Sequence, residues 1–338
     1  MSMQQNISLK PFNTFGIDVK TKLFLEWNSV EDVVEYAKSE ELKSHNRLIL
    51  GGGSNMLLTE DFDGLAIKNN ILGRELISES GNDVIVKIGG GEVWHDIVLW
   101  TISQGWNGME NMSLIPGSMG AAPIQNIGAY GIELKDVFVE LEAIDLSTGE
   151  QKTFSLEECE FGYRNSVFKN FYKGKYVIVS VTLRLSKEEN FNTKYGAISQ
   201  ELEIAGVTKL SAKAISNAVI TIRKSKLPDP NELGNSGSFF KNPIIPVSQY
   251  EEAKYDYPAL PSYPAGDGLV KVPAGWLIDQ SGWKGKRIGN CGVHTKQALV
   301  LVNYGGATGN EIFQLSEDII ADVIQKFGIE LEREVNVF

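Results

Sequence analysis

Apolar residues follow two spacings along this chain, one typical of helices and one typical of strands. A helix is predicted over residues 29–41, where Ser29 is the expected N-cap in an approximate capping box. A second helix is predicted over 308–328, and there Thr308 and Glu311 form a clear capping box. These start signals fix the direction and approximate bounds of both helices.

Strand patterns are spread unevenly between the helices. Residues 176–185 predict a strand, and a further helix is expected from the N-cap Ser211, stopping before Lys226, where two prolines follow. The tail, 329–338, alternates as a strand would, with Leu331, Val335 and Val337 on one side. Because the helices are too few for a doubly wound parallel sheet, the pattern predicts an α+β fold.

Glycine-rich segments interrupt the apolar pattern at 51–55, 89–91 and 117–131. The first lacks the third glycine of a Rossmann fingerprint, and no segment matches the Walker A motif. A plain turn is the preferred interpretation for 89–91. For 51–55 together with 117–131 we favour an anion-binding nest of main-chain amides, because a long neutral loop (113–131) is usually functional.

Composition narrows the class of protein. The 338 residues carry 43 acidic against 32 basic side chains, a net charge of −11, which disfavours non-specific nucleic-acid binding. Residues 223–298 instead hold ten basic and seven acidic side chains, a local +3 consistent with a small polyanionic ligand. Two cysteines and no apolar run of about 18 residues predict a cytoplasmic enzyme without membrane or nucleic-acid partners.

Two other chemistries were weighed. A zinc site is disfavoured because the three histidines are scattered and no Cys/His spacing matches, so no metal is predicted. A serine hydrolase using Ser238 and His294 is remote, since residues 234–238 do not complete a Gly-x-Ser-x-Gly elbow. A plain turn and a phosphate-binding loop both remain open for 234–238.

Nine short strings, in order over residues 8–338, resemble one family closely, the UDP-N-acetylenolpyruvoylglucosamine reductases. They are Asn-Thr-Phe-Gly-Ile from 13, Gly-Gly-Gly-Ser-Asn from 51, Ile-Pro-Gly from 115, Pro-Ile-Gln-Asn-Ile-Gly-Ala-Tyr-Gly from 123, Phe-Gly-Tyr-Arg-Asn-Ser from 161, Lys-Leu-Pro-Asp-Pro from 226, Gly-Ser-Phe-Phe-Lys-Asn-Pro from 237, Ala-Gly-Trp-Leu-Ile-Asp from 274 and Leu-Glu-Arg-Glu-Val from 331. One string alone carries little weight, whereas nine in register are specific.

The resemblance implies an FAD-binding domain of the vanillyl-alcohol-oxidase type followed by an α+β substrate-binding domain. The expected bounds are 1–190 for the first, in two α+β subdomains of about 1–70 and 71–190, and 191–328 for the second. Residues 329–338 are expected to form a C-terminal strand that carries Glu334. The family activity is the reduction of UDP-N-acetylglucosamine enolpyruvate to UDP-N-acetylmuramate, with NADPH as co-substrate and FAD held non-covalently. A monomer is expected.

Three catalytic residues carry over by register. Arg164 would hold the substrate carboxylate and stabilise the developing enolate with its planar donor fork. Ser238 would deliver a proton to that enolate, and Glu334 would lie near the same carboxylate. Alternation alone cannot choose among the glutamates of the tail, and Arg333 stands where the family commonly has proline. A catalytically silent nucleotide-sugar binding module is the alternative, which retention of all three groups disfavours.

The resemblance also assigns two sets of binding residues. The set expected at FAD comprises Gly51, Gly53, Ser54, Asn55, Ala121, Ile124, Gln125, Gly128, Tyr163 and Arg164. The set expected at the UDP-sugar comprises Tyr195, Arg223, Lys226, Asn242, Lys271 and Gln297. Tyr195 matches a loop tyrosine that closes over the substrate in one variant of the family, and the irregular 250–268 segment fits that variant.

Overall fold

The computed structural model describes residues 2–338, which form short strands and eight α-helices. The strands are β1 (Gln4–Ser8), β2 (Lys20–Trp27), β3 (Arg47–Leu50), β4 (Met56–Leu57), β5 (Phe62–Asn69), β6 (Arg74–Ser80), β7 (Asp83–Gly89), β8 (Gly128–Ala129), β9 (Ile132–Glu133), β10 (Phe138–Asp145), β11 (Gln151–Ser155), β12 (Tyr176–Ser186), β13 (Gly234–Ser238), β14 (Ile244–Pro246), β15 (Tyr263–Pro264), β16 (Leu269–Lys271), β17 (Arg287–Ile288), β18 (Cys291–Val293), β19 (Val300–Asn303) and β20 (Asn336–Val337). The helices are α1 (Val30–Lys38), α2 (Glu40–Lys43), α3 (Trp94–Ser103), α4 (Gly196–Ile204), α5 (Ala212–Lys226), α6 (Val247–Asp256), α7 (Ala274–Gln280) and α8 (Gly309–Phe327).

The chain divides into two compact units that interleave in sequence. The first holds residues 2–7, 21–52 and 63–225, and the second holds 8–20, 53–62 and 226–338. Helices α4 and α5 therefore group with the first unit, although the predicted substrate domain begins at residue 191. A buried cluster on these helices, which Tyr130 also packs against, is the reason for this grouping. The functional domain bounds stay a prediction.

The first unit is built on two sheets. A five-stranded sheet of order β11-β10-β12-β7-β6 is antiparallel throughout, and the predicted strand at 176–185 is its centre. One face packs against α3, with Trp94 and Ile97 fully buried. The other face shares a core with the β1-β2-β5-β3 sheet and α1, in which Trp27 and Tyr36 are fully buried. The five-stranded sheet of the first unit is therefore packed on both of its faces.

The second unit contains a four-stranded sheet of order β13-β19-β18-β17 and a three-stranded sheet of order β14-β16-β15. Helix α8 begins at the predicted capping box, in which the side chains of Thr308 and Glu311 each accept a hydrogen bond from the backbone amide of the other residue. The helix ends at Gly328, which has φ +66°. Both predictions for this helix are confirmed. Its buried residues, among them Ile312 and Phe327, face the core.

Four predicted segments differ from the structure. The helix expected over 29–41 breaks at Ser39, which is extended and caps α2 by accepting the Leu42 amide. The long loop at 113–131 contains a 3-10 helix, Met119–Gln125, and residues 234–238 form a strand rather than a turn. The first residues of the 250–268 segment belong to α6, so only its later part is irregular.

The C-terminal tail is a strand only at β20. Residues 332–334 pair with the chain around Phe240, whereas β20 pairs in parallel with β4. Because the tail changes partner halfway, no continuous ladder forms and the predicted alternation fails at its end. Leu331 and Val335 are buried as expected, but Val337 is 38% exposed. Within residues 2–338, no helix combines the length and apolar character needed to cross a bilayer.

Candidate active site

In the first unit, two of the motifs singled out from the sequence are bound to each other. The loop at 161–166 lies against the segment 124–128, which begins in the last residues of the 3-10 helix. The Arg164 guanidinium donates a hydrogen bond to the Gly128 carbonyl oxygen, with 3.2 Å between Nη2 and O. Five predicted FAD-site residues thus lie in one place: Ile124, Gln125, Gly128, Tyr163 and Arg164.

Two further hydrogen bonds hold this loop in position. The Ser166 hydroxyl donates to the Ile124 carbonyl oxygen at 2.7 Å, and the side-chain amide nitrogen of Asn126 donates to the Gly162 carbonyl oxygen at 3.2 Å. Asn126 adopts φ +44°, a left-handed conformation that asparagine tolerates better than most residues. The side chains of both motifs, rather than a regular ladder, therefore define this part of the site.

Arg164 itself has φ +53°, which is strained for a long side chain. Its guanidinium carbon lies 5.8 Å from the centroid of the Tyr163 ring, and the Lys169 ammonium donates to its carbonyl oxygen at 3.3 Å. Strained residues of this kind concentrate at functional sites, where surrounding contacts over-determine them. The conformation favours the functional interpretation of Arg164 over a surface salt bridge.

The two glycine loops favoured as an anion nest meet in the first unit. A Cβ added to Gly51 would lie 2.5 Å from the Ser118 hydroxyl oxygen, and one on Gly52 would lie 2.6 Å from the Gly117 Cα. Only glycine allows this approach of backbone to backbone. The Lys68 ammonium also donates to the Gly51 carbonyl oxygen at 2.8 Å, and burial lowers the pKa of Lys68.

The turn after Gly51 offers main-chain donors. Within residues 2–338, the amides of Gly52, Gly53 and Ser54 donate to no other group of the protein. Consecutive amides of this kind form the concave nests that bind diphosphates. The turn therefore fits FAD, whose pyrophosphate needs such donors. The glycines at 89–91 instead pack tightly against the main chain of residues 70–73 and Ile178, in keeping with a purely structural role.

Tyr195 and Arg223 meet through Tyr130, a residue that sequence reasoning missed. The rings of Tyr130 and Tyr195 pack edge to face, with 5.2 Å between centroids. The Tyr130 phenol also lies close enough to Arg223 for each group to affect the pKa of the other. Burial raises the pKa of Tyr130 and lowers the pKa of Arg223, and the nearby Arg164 charge lowers the latter further. Tyr130 was the single aromatic residue in a run of small ones, which was the available signal.

Arg223 is held from its other side by the main chain. Its Nε donates to the Leu114 carbonyl oxygen at 3.2 Å, and the Leu114 amide donates to His95 Nδ1 at 2.9 Å. Leu114 has φ +59° and so turns both of its peptide groups toward these partners. Burial lowers the pKa of His95, which keeps the ring neutral and able to accept. This chain of contacts fixes Arg223 independently of any ligand.

In the second unit, the tail joins the strand that carries Ser238. The Glu334 amide donates to the Phe239 carbonyl oxygen at 2.8 Å, and the Asn55 side chain donates to the Glu334 carbonyl oxygen at 3.3 Å. Three residues predicted from different motifs, Asn55, Ser238 and Glu334, are therefore connected by main-chain geometry. Both Ser238 and Glu334 are partly exposed, as groups that meet a substrate must be.

The same sheet weakens the hydrolase alternative. Ser238 pairs with Val300 on β19, and His294 lies on the other side of Val300, to whose carbonyl oxygen its amide donates at 2.9 Å. The two residues are separated by a whole strand, about 10 Å. His294 Nδ1 has no hydrogen-bond partner among residues 2–338, and burial lowers the pKa of the ring. No nucleophile–base pair is present here.

The remaining UDP-site candidates lie in the second unit. Asn242 accepts the Ala274 amide at 2.9 Å, and a Cβ on Gly275 would lie 3.3 Å from the Gln297 side-chain oxygen. The side-chain amides of Asn242 and Gln297 therefore lie beside the start of α7. Lys271 ends β16, beside Ile244 on β14, and Lys226 is exposed at the end of α5. Asn242 and Gln297 are grouped by these contacts at the start of α7.

Comparison with known proteins supplies an independent test. A model of the UDP-N-acetylenolpyruvoylglucosamine reductase C-terminal domain matches residues 229–338, and a model of an FAD binding domain matches residues 22–155. The UDP-N-acetylenolpyruvoylglucosamine reductase of Flavobacterium johnsoniae is 53% identical over 338 residues, 100% of both chains. That of Pseudomonas putida is 48% identical over 99% of this chain and 98% of its own.

A solved structure gives the corresponding likeness in fold. The crystal structure of UDP-N-acetylenolpyruvylglucosamine reductase from Thermus caldophilus matches with a TM-score of 0.70 and 21% identity, over 100% of each chain. This match and the FAD domain confirm the predicted fold class, an α+β protein with an FAD-binding domain of the vanillyl-alcohol-oxidase type followed by a second α+β domain. They also confirm the resemblance drawn from the nine strings.

Proposed function

The chain belongs to the family of UDP-N-acetylenolpyruvoylglucosamine reductases, FAD-dependent oxidoreductases of peptidoglycan synthesis, and from this premise we propose its reaction in full. It uses NADPH to reduce UDP-N-acetylglucosamine enolpyruvate to UDP-N-acetylmuramate. The observation that carries the proposal is the docking of Arg164 on the 124–128 segment of the FAD-binding domain. A guanidinium fixed there is suited to hold an anionic substrate group.

Bound FAD supplies the hydride, which adds to the terminal carbon of the enolpyruvyl double bond. Arg164 binds the substrate carboxylate and stabilises the enolate charge that develops toward it, because charge-assisted hydrogen bonds strengthen as that charge grows. The left-handed backbone of Arg164 and its bond to Gly128 support a role that requires the guanidinium to be held in position before the substrate binds.

Ser238 donates the proton to the carbon beside the carboxylate. A hydroxyl is a weak acid, so the transfer requires the strongly basic enolate as acceptor. Glu334 acts next to the same carboxylate, on a main chain fixed at both its amide and its carbonyl group. The connection of Ser238 to Glu334 through Phe239 supports assigning both to one step.

For the cofactor, we propose that the turn at 51–55 binds the FAD pyrophosphate, since the amides of Gly52 and Gly53 have no partner among residues 2–338. The other contacts to FAD are assigned to Ala121, Ile124, Gln125, Gly128, Tyr163 and Arg164. The packing of these residues in the first unit supports their common role. Tyr195, Arg223, Lys226, Asn242, Lys271 and Gln297 are proposed to contact the UDP-sugar. Monomeric state and cytoplasmic location stay predictions from the sequence.

The test is a spectroscopic and product assay on the purified protein. We expect flavin absorbance, sustained turnover of NADPH only when the enolpyruvyl substrate is present, and a product two hydrogens heavier. A colourless protein that cannot be reconstituted with FAD would contradict the proposal. A yellow protein that binds the UDP-sugar without turnover would instead support a silent binding module.

A further inference from the structure

Arg333, the residue before Glu334, reaches away from the tail to α8. Its Nε donates to the Ser316 hydroxyl oxygen at 2.8 Å, and its terminal nitrogen forms an ion pair with Glu317. The guanidinium carbon also lies 4.7 Å from the centroid of the Phe313 ring. These three partners are spaced three and four residues apart, so they present one face of α8 to a single side chain.

The anchor on α8 is rigid. Ser316 is fully buried, and its hydroxyl donates to the Phe313 carbonyl oxygen at 2.6 Å, which leaves its lone pairs for the Arg333 Nε. The helix is capped at both ends and packs through a row of buried apolar residues. A planar guanidinium with an ion pair, a hydroxyl and an aromatic ring around it has little freedom to move.

The backbone hydrogen bonds around Arg333 are made by the residues on either side of it. Arg333 lies opposite Phe240, but the hydrogen bonds of this pair come from Lys241 and Glu334. The peptide groups of Arg333 therefore point away from the partner chain, as in any non-hydrogen-bonded antiparallel pair. Arg333 is therefore held by its side chain rather than by its backbone. Because Glu334 directly follows it in the chain, the position of Arg333 affects that of Glu334.

We propose that Arg333 is a positioning residue for Glu334, which it holds in the reactive orientation by tethering the tail to α8. The inference rests on the proposed role of Glu334. Because the Arg333 charge is already matched by Glu317, its effect on Glu334 is geometric rather than electrostatic. Misplacement of a reacting group by about 1 Å costs on the order of a hundredfold in rate.

The experiment measures the two half-reactions of the holoenzyme separately by stopped-flow absorbance. For Arg333→Met we expect reduction of the flavin by NADPH to stay within about twofold of wild type. Reoxidation by the enolpyruvyl substrate should slow by about tenfold to a hundredfold, with little change in substrate affinity. Arg333→Lys should recover only part of this rate, because an ammonium cannot engage all three partners.

Two further variants keep the test decisive. Ser316→Ala removes the buried anchor while leaving Arg333 in place, and it should also slow reoxidation selectively. Arg287→Met is the matched control, because it removes a guanidinium that contacts Tyr304, and both half-reactions should be unaffected. If Arg333→Met and Ser316→Ala both reoxidise at the wild-type rate, the inference is wrong although the proposed function stands. Absence of turnover in the wild-type holoenzyme would contradict the proposed function itself.

Discussion

The amide of Glu334 donates a hydrogen bond to the carbonyl oxygen of Phe239, 2.8 Å away. This bond joins the C-terminal tail to the residue that follows Ser238, although almost a hundred residues separate them in sequence. The proposed roles of Ser238 and Glu334 require a fixed spacing between the two residues through the reaction. A single main-chain hydrogen bond provides that spacing without any contact between the two side chains.

Replacing Ser238 should separate the two half-reactions. In Ser238→Ala, flavin reduction by NADPH should stay nearly intact, because no proton from this residue is needed there. Reoxidation by the enolpyruvyl substrate should slow by about a hundredfold or more, the usual contribution of a positioned general acid. Stopped-flow absorbance of the flavin measures both rates. Ser236→Ala is the control, since that hydroxyl donates to the Met56 carbonyl oxygen, and equal slowing of both steps would exclude Ser238 as donor.

Adding one methyl group to the glycine turn should release the cofactor. In Gly52→Ala the new Cβ would lie 2.6 Å from the Gly117 Cα, so the two loops must separate. We expect a protein with much reduced FAD content, measured by the ratio of flavin to protein absorbance. Gly196→Ala is the control, because its added Cβ meets nothing within 4 Å. Full FAD content in Gly52→Ala would mean that the close packing of these loops is not required for binding.

The hydroxyl of Tyr195 should act on substrate binding rather than on flavin chemistry. Tyr195→Phe keeps the edge-to-face contact with Tyr130 and removes only the hydroxyl. A lost hydrogen bond to a charged phosphate costs about 1.5–3 kcal/mol, so the substrate KM should rise about tenfold to a hundredfold. Reduction by NADPH alone should be unchanged. Tyr255→Phe, at a ring 88% exposed, serves as control. Equal losses in both steps would indicate a structural role.

His95 should make stability fall in mild acid. Burial lowers its pKa in the folded protein below the usual value of about 6.5, so the unfolded chain binds the proton more readily. Stability from this group is therefore full above about pH 6.5 and decreases as the pH falls below it. His95→Asn keeps an acceptor for the Leu114 amide and cannot titrate.

The measurement for His95 is urea unfolding at about pH 7.5 and pH 5.5. The loss of stability between these values should be smaller in His95→Asn than in wild type. It should not vanish, because burial also lowers the pKa of His294. His294→Asn and the double variant should reduce the difference independently. An unchanged difference in His95→Asn would show that this ring does not contribute.

Local patterns were predictable where neighbouring residues in sequence decide the outcome. The capping box of Thr308 and Glu311, the end of α8 at Gly328 and the strand at 176–185 follow from a few adjacent side chains, and all were confirmed. The helix over 29–41 was predicted too long because Ser39 serves as a cap for α2, a choice that depends on a single hydroxyl. Family membership was also readable, since nine motifs in register rarely occur by chance.

The fold class, the family and the candidate site residues were therefore predictable from the sequence. The contacts between distant segments are visible only in the folded chain: Arg164 with Gly128, Tyr130 with Tyr195 and Arg223, and Glu334 with Phe239. Alternation could not single out Glu334 among the glutamates of the tail, because all of them share one face. The tail changes its pairing partner after Glu334. Pairings between segments that are distant in sequence depend on how the whole chain packs, so they cannot be predicted from a local pattern of residues.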